Sequence, residues 1–179
     1  MTPETEAQYK QALETSLTEG WEILRSGGSA LDAVEACVVE MELNPLFNAG
    51  RGSVFTNEGT IEMDASIMNG ANLMAGAVAA VKNIKQPIKL ARAVMEKSDF
   101  VILTGKGAEE FAKQNNIEFA PDEYFFTQRR FDQLQKAKAS GKSFLDHTTD
   151  FAGNKKKFGT VGAAALDSNG NLAAATSTG

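Results

Sequence analysis

Thr160 sits where one residue could supply both a hydroxyl nucleophile and its base. The surrounding run is Lys155-Lys156-Lys157-Phe158-Gly159-Thr160-Val161-Gly162-Ala163. Before the threonine lies a polar, lysine-rich stretch that reads as exposed loop. After it comes patterned β-hairpin sequence, closing on Ala173-Ala174-Ala175-Thr176-Ser177-Thr178-Gly179. Cutting the Gly159–Thr160 bond would give Thr160 a free α-amine beside its hydroxyl. Such an amine titrates near pKa ~7.7–8.0, which suits a general base at neutral pH. A threonine hydroxyl served by its own amine is a known nucleophile arrangement. The plain alternative is that threonines favour strands for packing reasons.

The geometry of that threonine depends on the turn Asp167-Ser168-Asn169-Gly170-Asn171. A two-residue turn at Asn169-Gly170 would set Ser168 opposite Asn171 and Val161 opposite Thr178. A type I turn starting at Asp167, with Gly170 left-handed in a glycine bulge, would set Asp167 opposite Asn171. Thr160 then faces Thr178. Aspartate first and glycine fourth are type I preferences, which favours the second register.

The elements that must position this junction are legible in outline. A first helix spans about Glu4 to Arg25, with Leu13, Leu17, Trp21 and Leu24 forming one apolar stripe. Ser26-Gly27-Gly28 ends it. Ser29 suits an N-cap, and Asp32 brings a carboxylate to the first turn of a second helix. From Ala30 to Leu43 that helix is apolar nearly all round, the pattern of a buried helix. Asn44-Pro45 breaks it, and the loop Leu46-Phe47-Asn48-Ala49-Gly50-Arg51-Gly52 follows. Its paired glycines predict unusual backbone angles or close approach.

Short strands are expected at Val54–Thr56 and at Ile61–Met68, where apolar and polar residues alternate. Gly76–Val81 and Val101–Thr104 read as buried strands. Pro87 opens a helix running to Lys97. A second runs from Gly105-Lys106-Gly107 to about Gln114, and a charged one from about Phe126 to Ala139. Residues 141–158 read as a polar linker. There is no internal repeat. Strands interleaved with helices predict an α/β or α+β layered domain.

The 179 residues carry a net charge of −5, which argues against a nucleic-acid partner. The basic cluster Arg129, Arg130, Lys136, Lys138 and Lys142 reads as a solvated helix face. No apolar run approaches the ~18 residues needed to span a membrane. No signal peptide is visible at Met1-Thr2-Pro3-Glu4, so a cytoplasmic location is expected. Cys37 is the only cysteine, so an intrachain disulfide is excluded, and its apolar neighbours predict a core position. His147 is the only histidine and lies in a polar stretch. A His-dependent triad would have to use it, and no Cys/His metal spacing is present.

With those residues in hand, the chain resembles the plant-type asparaginases, also called isoaspartyl peptidases, which are N-terminal nucleophile hydrolases. The junction Gly159-Thr160-Val161-Gly162-Ala163 and the run Ala175-Thr176-Ser177-Thr178-Gly179 carry the resemblance most directly. Gly27-Gly28-Ser29-Ala30-Leu31-Asp32-Ala33-Val34, Phe47-Asn48-Ala49-Gly50-Arg51-Gly52-Ser53-Val54, Met63-Asp64-Ala65 and Gly105-Lys106-Gly107-Ala108-Glu109 occur in family order along nearly the whole chain.

The resemblance implies a single domain over 1–179, a four-layer αββα sandwich incomplete at both ends. Residues 1–159 would belong to an α-subunit, and 160–179 would open a β-subunit. It implies a precursor that cuts itself between Gly159 and Thr160. The freed Thr160 would attack L-asparagine or a β-aspartyl dipeptide, giving an acyl-enzyme that water releases. Thr178 would support the nucleophile by hydrogen bonding, and Asn48 would lie beside the site.

The resemblance further implies no catalytic cofactor. It implies a structural sodium ion on the main-chain carbonyls of Met41, Glu42, Asn44, Phe47, Ala49 and Arg51; an ordinary turn is the plain reading of that loop. Subunits would form an αβ heterodimer that pairs into a dimer of dimers. The family's substrate clamp and oxyanion donors fall after this hairpin, so residues 1–179 alone are expected to stay intact and inactive. Glycosylasparaginase is the sister reading. A non-catalytic domain that keeps the fold is the rival from another class. Nucleotide binding through Gly105-Lys106-Gly107 is weaker, because that run lacks the full glycine fingerprint.

Overall fold

The computed structural model describes residues 2–140 and 159–179. His147, Lys142 and the linker expected over 141–158 lie outside the described residues. Helix α1 (Pro3–Arg25) starts from Thr2, whose side chain accepts the Thr5 N–H. Helix α2 (Ala30–Leu43) starts from Ser29, as its sequence predicts, and Ser29 Oγ accepts the Asp32 N–H at 3.1 Å. A single 3₁₀ turn, Gly50–Gly52, follows the loop at its far end.

Strands β1 (Met63–Asn69) and β2 (Met74–Val81) come next, then α3 (Pro87–Lys97), β3 (Ile102–Thr104) and α4 (Gly105–Gln114). The short α5 (Asp122–Phe125) precedes α6 (Gln128–Ser140). The chain as described closes with β4 (Val161–Leu166) and β5 (Leu172–Thr178).

The five strands form one sheet in the order β3-β2-β1-β5-β4. All neighbours are antiparallel except β2 and β3. Period-two alternation decides what each face does. Met63, Ala65 and Ile67 of β1 point into the core with Val78 of β2, Ala173 and Ala175 of β5, and Val161 of β4. Helices α2, α3 and α4 contribute Val34, Val38, Leu90, Val94, Ala108 and Ala112 to the same core. The opposite face of the sheet carries Asp64, Ser66, Met68, Leu172, Ala174 and Thr176, and it is exposed. The mixed α/β architecture is as expected; of the four layers expected, the described residues form one sheet with helices packed against it.

Several elements differ from expectation. The α1 stripe faces outward: Leu17 and Trp21 are 68% and 59% exposed. α1 instead meets α2 through Ser16 and Gly20, the two buried residues of that helix. Ser16 Oγ donates to the Cys37 carbonyl at 2.8 Å, and a Cβ on Gly20 would run into Cys37 Sγ. Small residues let the helix axes approach closely, which a hydrophobicity pattern cannot reveal. Val54–Thr56 forms no strand; Thr56 closes a turn with Thr60 instead. β2 is buried on one face only, and β3 is an exposed edge strand, with Ile102 54% exposed. Arg130 is buried rather than solvated.

Asp167 ties the last hairpin to α2. Its Oδ1 accepts the N–H groups of Asn169 and Asn171 at 2.9 and 3.0 Å. Its Oδ2 accepts the Ala30 N–H, in the first turn of α2, at 3.2 Å. These bonds, that from the Asn171 amide first, hold the carboxyl below the usual carboxylate range. A depressed folded pKa means stability that is present above the unfolded pKa of ~3.9 and lost as pH falls through the folded value. Asp167→Asn in the full-length protein should therefore melt below wild type at neutral pH. The gap should close as the pH is taken under that window, where the wild-type carboxyl also carries a proton. Thermal melts in a pH series check this, and a gap independent of pH would refute the carboxylate's part.

Candidate active site

The hairpin register puts the two threonines together. Val161 pairs with Ser177, and Leu166 with Leu172. The turn bond runs from the Gly170 N–H to the Asp167 carbonyl, and Gly170 has φ +80°. This is the type I turn with the left-handed glycine, and the Asp167 N–H donates to the Asn171 carbonyl at 3.0 Å. The same register carried one residue past the strand brings Thr160 to Thr178. The Thr160 hydroxyl donates to Thr178 Oγ1 at 3.2 Å. A one-residue slip would have turned Thr178 to the core face. Gly159 is described directly before Thr160, and it is partly buried.

On its other edge, β5 sets Thr178 opposite Asp64 of β1. Asp64 lies in the irregular step between Met63 and Ala65, and its Oδ1 accepts the Ala80 N–H at 2.8 Å. Bulges of this kind re-aim side chains near sites. The apolar–polar alternation over Ile61–Met68 gives no hint of the place of Asp64 beside Thr178.

The loop after α2 grips the end of β5. The Gly179 N–H donates to the Asn48 carbonyl, and Asn48 Nδ2 donates to the Gly179 carbonyl, each at 3.3 Å. Asn48 Oδ1 accepts the Val54 N–H at 2.9 Å. Asn48 is thus buried one residue from Thr178, holding both backbone groups of Gly179. The two loop glycines meet the expectation set for them. Gly50 has φ +49° and backs onto the Glu42 carbonyl, while Gly52 backs onto the carbonyls of Phe47 and Pro45. Arg130 Nε donates to the Gly52 carbonyl at 2.6 Å, a support for which the charge pattern of α6 gave no signal. Arg51 instead lies over the Tyr124 ring at 5.5 Å.

Beneath the threonines, on the core face, lies Glu42. Its side chain is fully buried, and burial pushes its carboxyl up to about 8. Oε1 accepts the Ile88 N–H at 3.0 Å. The Ser177 hydroxyl faces the same carboxyl, though neither Oε2 nor Ser177 Oγ meets the geometry of a formed hydrogen bond. The family resemblance implies a role only for the main-chain carbonyl of Glu42. Its side chain was missed because a lone glutamate in an apolar helix has no local signature.

The arrangement can present a hydroxyl at an open strand end, fixed by a neighbouring hydroxyl and by a loop that holds the strand terminus. A family model described as asparaginase matches residues 1–179. An isoaspartyl peptidase of Salmonella typhimurium is 47% identical over the whole chain, which covers 57% of that protein. Isoaspartyl peptidase/L-asparaginases of Mus musculus and Homo sapiens are 51% and 50% identical, over 95% and 94% of the chain and 50% and 53% of their own lengths. The chain spans somewhat over half the length of the curated relatives it matches.

Close packing at Gly179 gives a direct test of the grip on β5. A Cβ there would collide with the Ser53 side chain. Gly179→Ala should destabilise the full-length protein by about 1–3 kcal/mol, the usual range for overpacking a tight site. Adding Ser53→Gly should recover part of that loss. Urea denaturation of the two single variants and the double variant measures the coupling, and strict additivity would show that the contact is not tight.

Proposed function

The chain belongs to the asparaginase family, and from that premise we propose that it is the self-cleaving part of a threonine-nucleophile amidohydrolase acting on L-asparagine and β-aspartyl dipeptides. The observation that carries this reading is the Thr160 hydroxyl directed at Thr178 Oγ1, 3.2 Å away, at the first residue of a hairpin. Relatives named isoaspartyl peptidase or L-asparaginase support the substrate class.

In the precursor, the Thr160 hydroxyl attacks the Gly159 carbonyl carbon. The peptide C–N bond breaks, and its nitrogen takes up a proton to become the Thr160 α-amine. The acyl group passes to Oγ1 as an ester, and water hydrolyses that ester. In the mature enzyme the amine accepts the Oγ1 proton as the oxygen attacks a side-chain amide. Ammonia or an amino acid leaves, and water releases the aspartyl group from Oγ1. Thr178 fixes the Thr160 side-chain rotamer in both stages, so the attacking lone pair is aimed before the reaction begins. Asn48 acts at one remove, by holding Gly179 and with it the end of β5.

Cleavage makes residues 1–159 the α-part and places Thr160 at the head of the β-part. An αβ heterodimer that pairs into a dimer of dimers belongs to the same reading. So does a structural sodium ion on the main-chain carbonyls of Met41, Glu42, Asn44, Phe47, Ala49 and Arg51. In support, the Glu42 and Phe47 carbonyls crowd the two glycines of this loop, where no side chain fits. Among the described residues no cluster of His, Cys, Asp or Glu is arranged to hold a metal, so a cation here would rest on backbone oxygens.

Three measurements test the proposal. Intact-mass analysis of the full-length protein should show two chains split at Gly159–Thr160. Thr160→Ala should stay whole, and Thr160→Ser should split more slowly, because serine lacks the β-methyl that restricts χ1. A Thr160→Ala protein that still splits would refute the nucleophile. Thr178→Val should slow cleavage by about tenfold or more, the rate equivalent of one aligned hydrogen bond. Replacing sodium by tetramethylammonium at constant ionic strength should lower the melting temperature, since a ligand bound only to the native state stabilises it. An unchanged melt would remove the ion from the account.

A further inference from the structure

Two of the three buried side-chain oxygens that lack a formed hydrogen bond among the described residues are Glu42 Oε2 and Ser177 Oγ, and the third, Ser53 Oγ, abuts Gly179. They gather under the last residues of β5. Glu42 and Ser177 are both 0% exposed. A fully buried carboxyl is costly unless its oxygens are used, so its position calls for a reason.

The surroundings supply one. Glu42 lies in the last turn of α2. Its Oε1 takes the Ile88 N–H, one of the first-turn donors of α3 that no helical carbonyl can reach. The Ser177 hydroxyl, on the residue before Thr178, lies against the same carboxyl without completing a hydrogen bond to it. Ser177 in turn pairs with Val161, the residue after Thr160, and with Ala65 of β1. One carboxyl therefore stands between two helices and the strand neighbours of both threonines. On the basis of the activity proposed above, we propose that Glu42 is a positioning residue for the Thr160–Thr178 pair. It backs Ser177 from the core side, and so sets the depth at which Thr178 meets the Thr160 hydroxyl.

Strand geometry gives the lever. Ser177 and Thr178 project to opposite faces, so a shift of the Ser177 side chain in the core tilts Thr178 on the outer face. The Thr160–Thr178 separation of 3.2 Å leaves little room for that tilt. Geometry of this kind is felt more strongly in rate than in stability, because catalysis demands near-attack alignment.

The test uses the full-length protein and four forms: wild type, Glu42→Gln, Glu42→Leu and Ser177→Ala. Glutamine keeps an acceptor for Ile88 and offers an amide to Ser177, so it should mature close to the wild-type rate. Leucine keeps the volume and removes both polar functions. Ser177→Ala leaves the Ile88 bond intact and removes only the strand contact, so it also decides the case should the leucine variant not fold. Each folded variant is followed by intact mass for cleavage, by kcat and KM for hydrolysis, and by thermal melting.

We expect Glu42→Leu and Ser177→Ala to cleave about tenfold slower or more, with kcat lowered and KM nearly unchanged. The Ser177→Ala melt should stay close to wild type. A mere stability role predicts the opposite split: melting falls, while cleavage well below the melting temperature keeps its rate. Wild-type rates in folded Ser177→Ala overturn the inference. Failure of the wild-type protein itself to cleave overturns the proposed activity instead.

Discussion

The whole site hangs on the register of one hairpin, and that register is held by a single carboxylate. Asp167 accepts from the turn amides of Asn169 and Asn171 and from the Ala30 N–H of α2. The turn bonds select the glycine bulge, and the Ala30 bond fixes where the hairpin sits along the helix. Without that choice, Thr178 would face the core and Ser177 the solvent.

Helix α2 and strand β5 are of matching length, and this lets one element discipline the other. Fourteen helical residues rise about 21 Å, and seven strand residues about 23 Å. The start of the helix is joined to the hairpin turn through Asp167. Its last turn and the loop beyond it meet the far end of the strand, through Glu42 and Asn48. β5 is therefore anchored near both ends by one rigid rod. The arrangement explains why the chemistry-bearing threonine stands at the strand terminus. There the backbone can be held from the loop side, through Asn48 and Gly179.

Much of this was legible in the sequence wherever local chemistry decides structure. The helix Pro87–Lys97 carries its own start signal, Ser29 its own cap, and the Asp167–Gly170 turn its own type. The threonine pair belongs to the turn register that aspartate first and glycine fourth favour over the two-residue turn. What escaped is non-local. Whether Leu13 and Leu17 or Ser16 and Gly20 face α2 depends on how close two helices come. The exposure of β3 depends on its place at the sheet edge. The grip of Asn48 on Gly179, the burial of Arg130 under the 3₁₀ turn and the carboxyl of Glu42 beneath Ser177 join residues far apart in the chain, through contacts that no spacing announces. Sequence order placed Asn48 near the site only through family resemblance.

The outward stripe of α1 has a practical consequence for studying the protein. Trp21 is the only tryptophan among residues 1–179, and it stands 59% exposed on the helix surface beside Leu17. An indole so exposed is expected to emit as from a watery environment already in the native state. Emission from Trp21 should therefore change little when the core melts. The same indole is a ready-made reporter for anything that settles on this helix. A blue shift on adding a second component would register contact at α1, some distance along the chain from the threonines and independent of whether any bond has been cut.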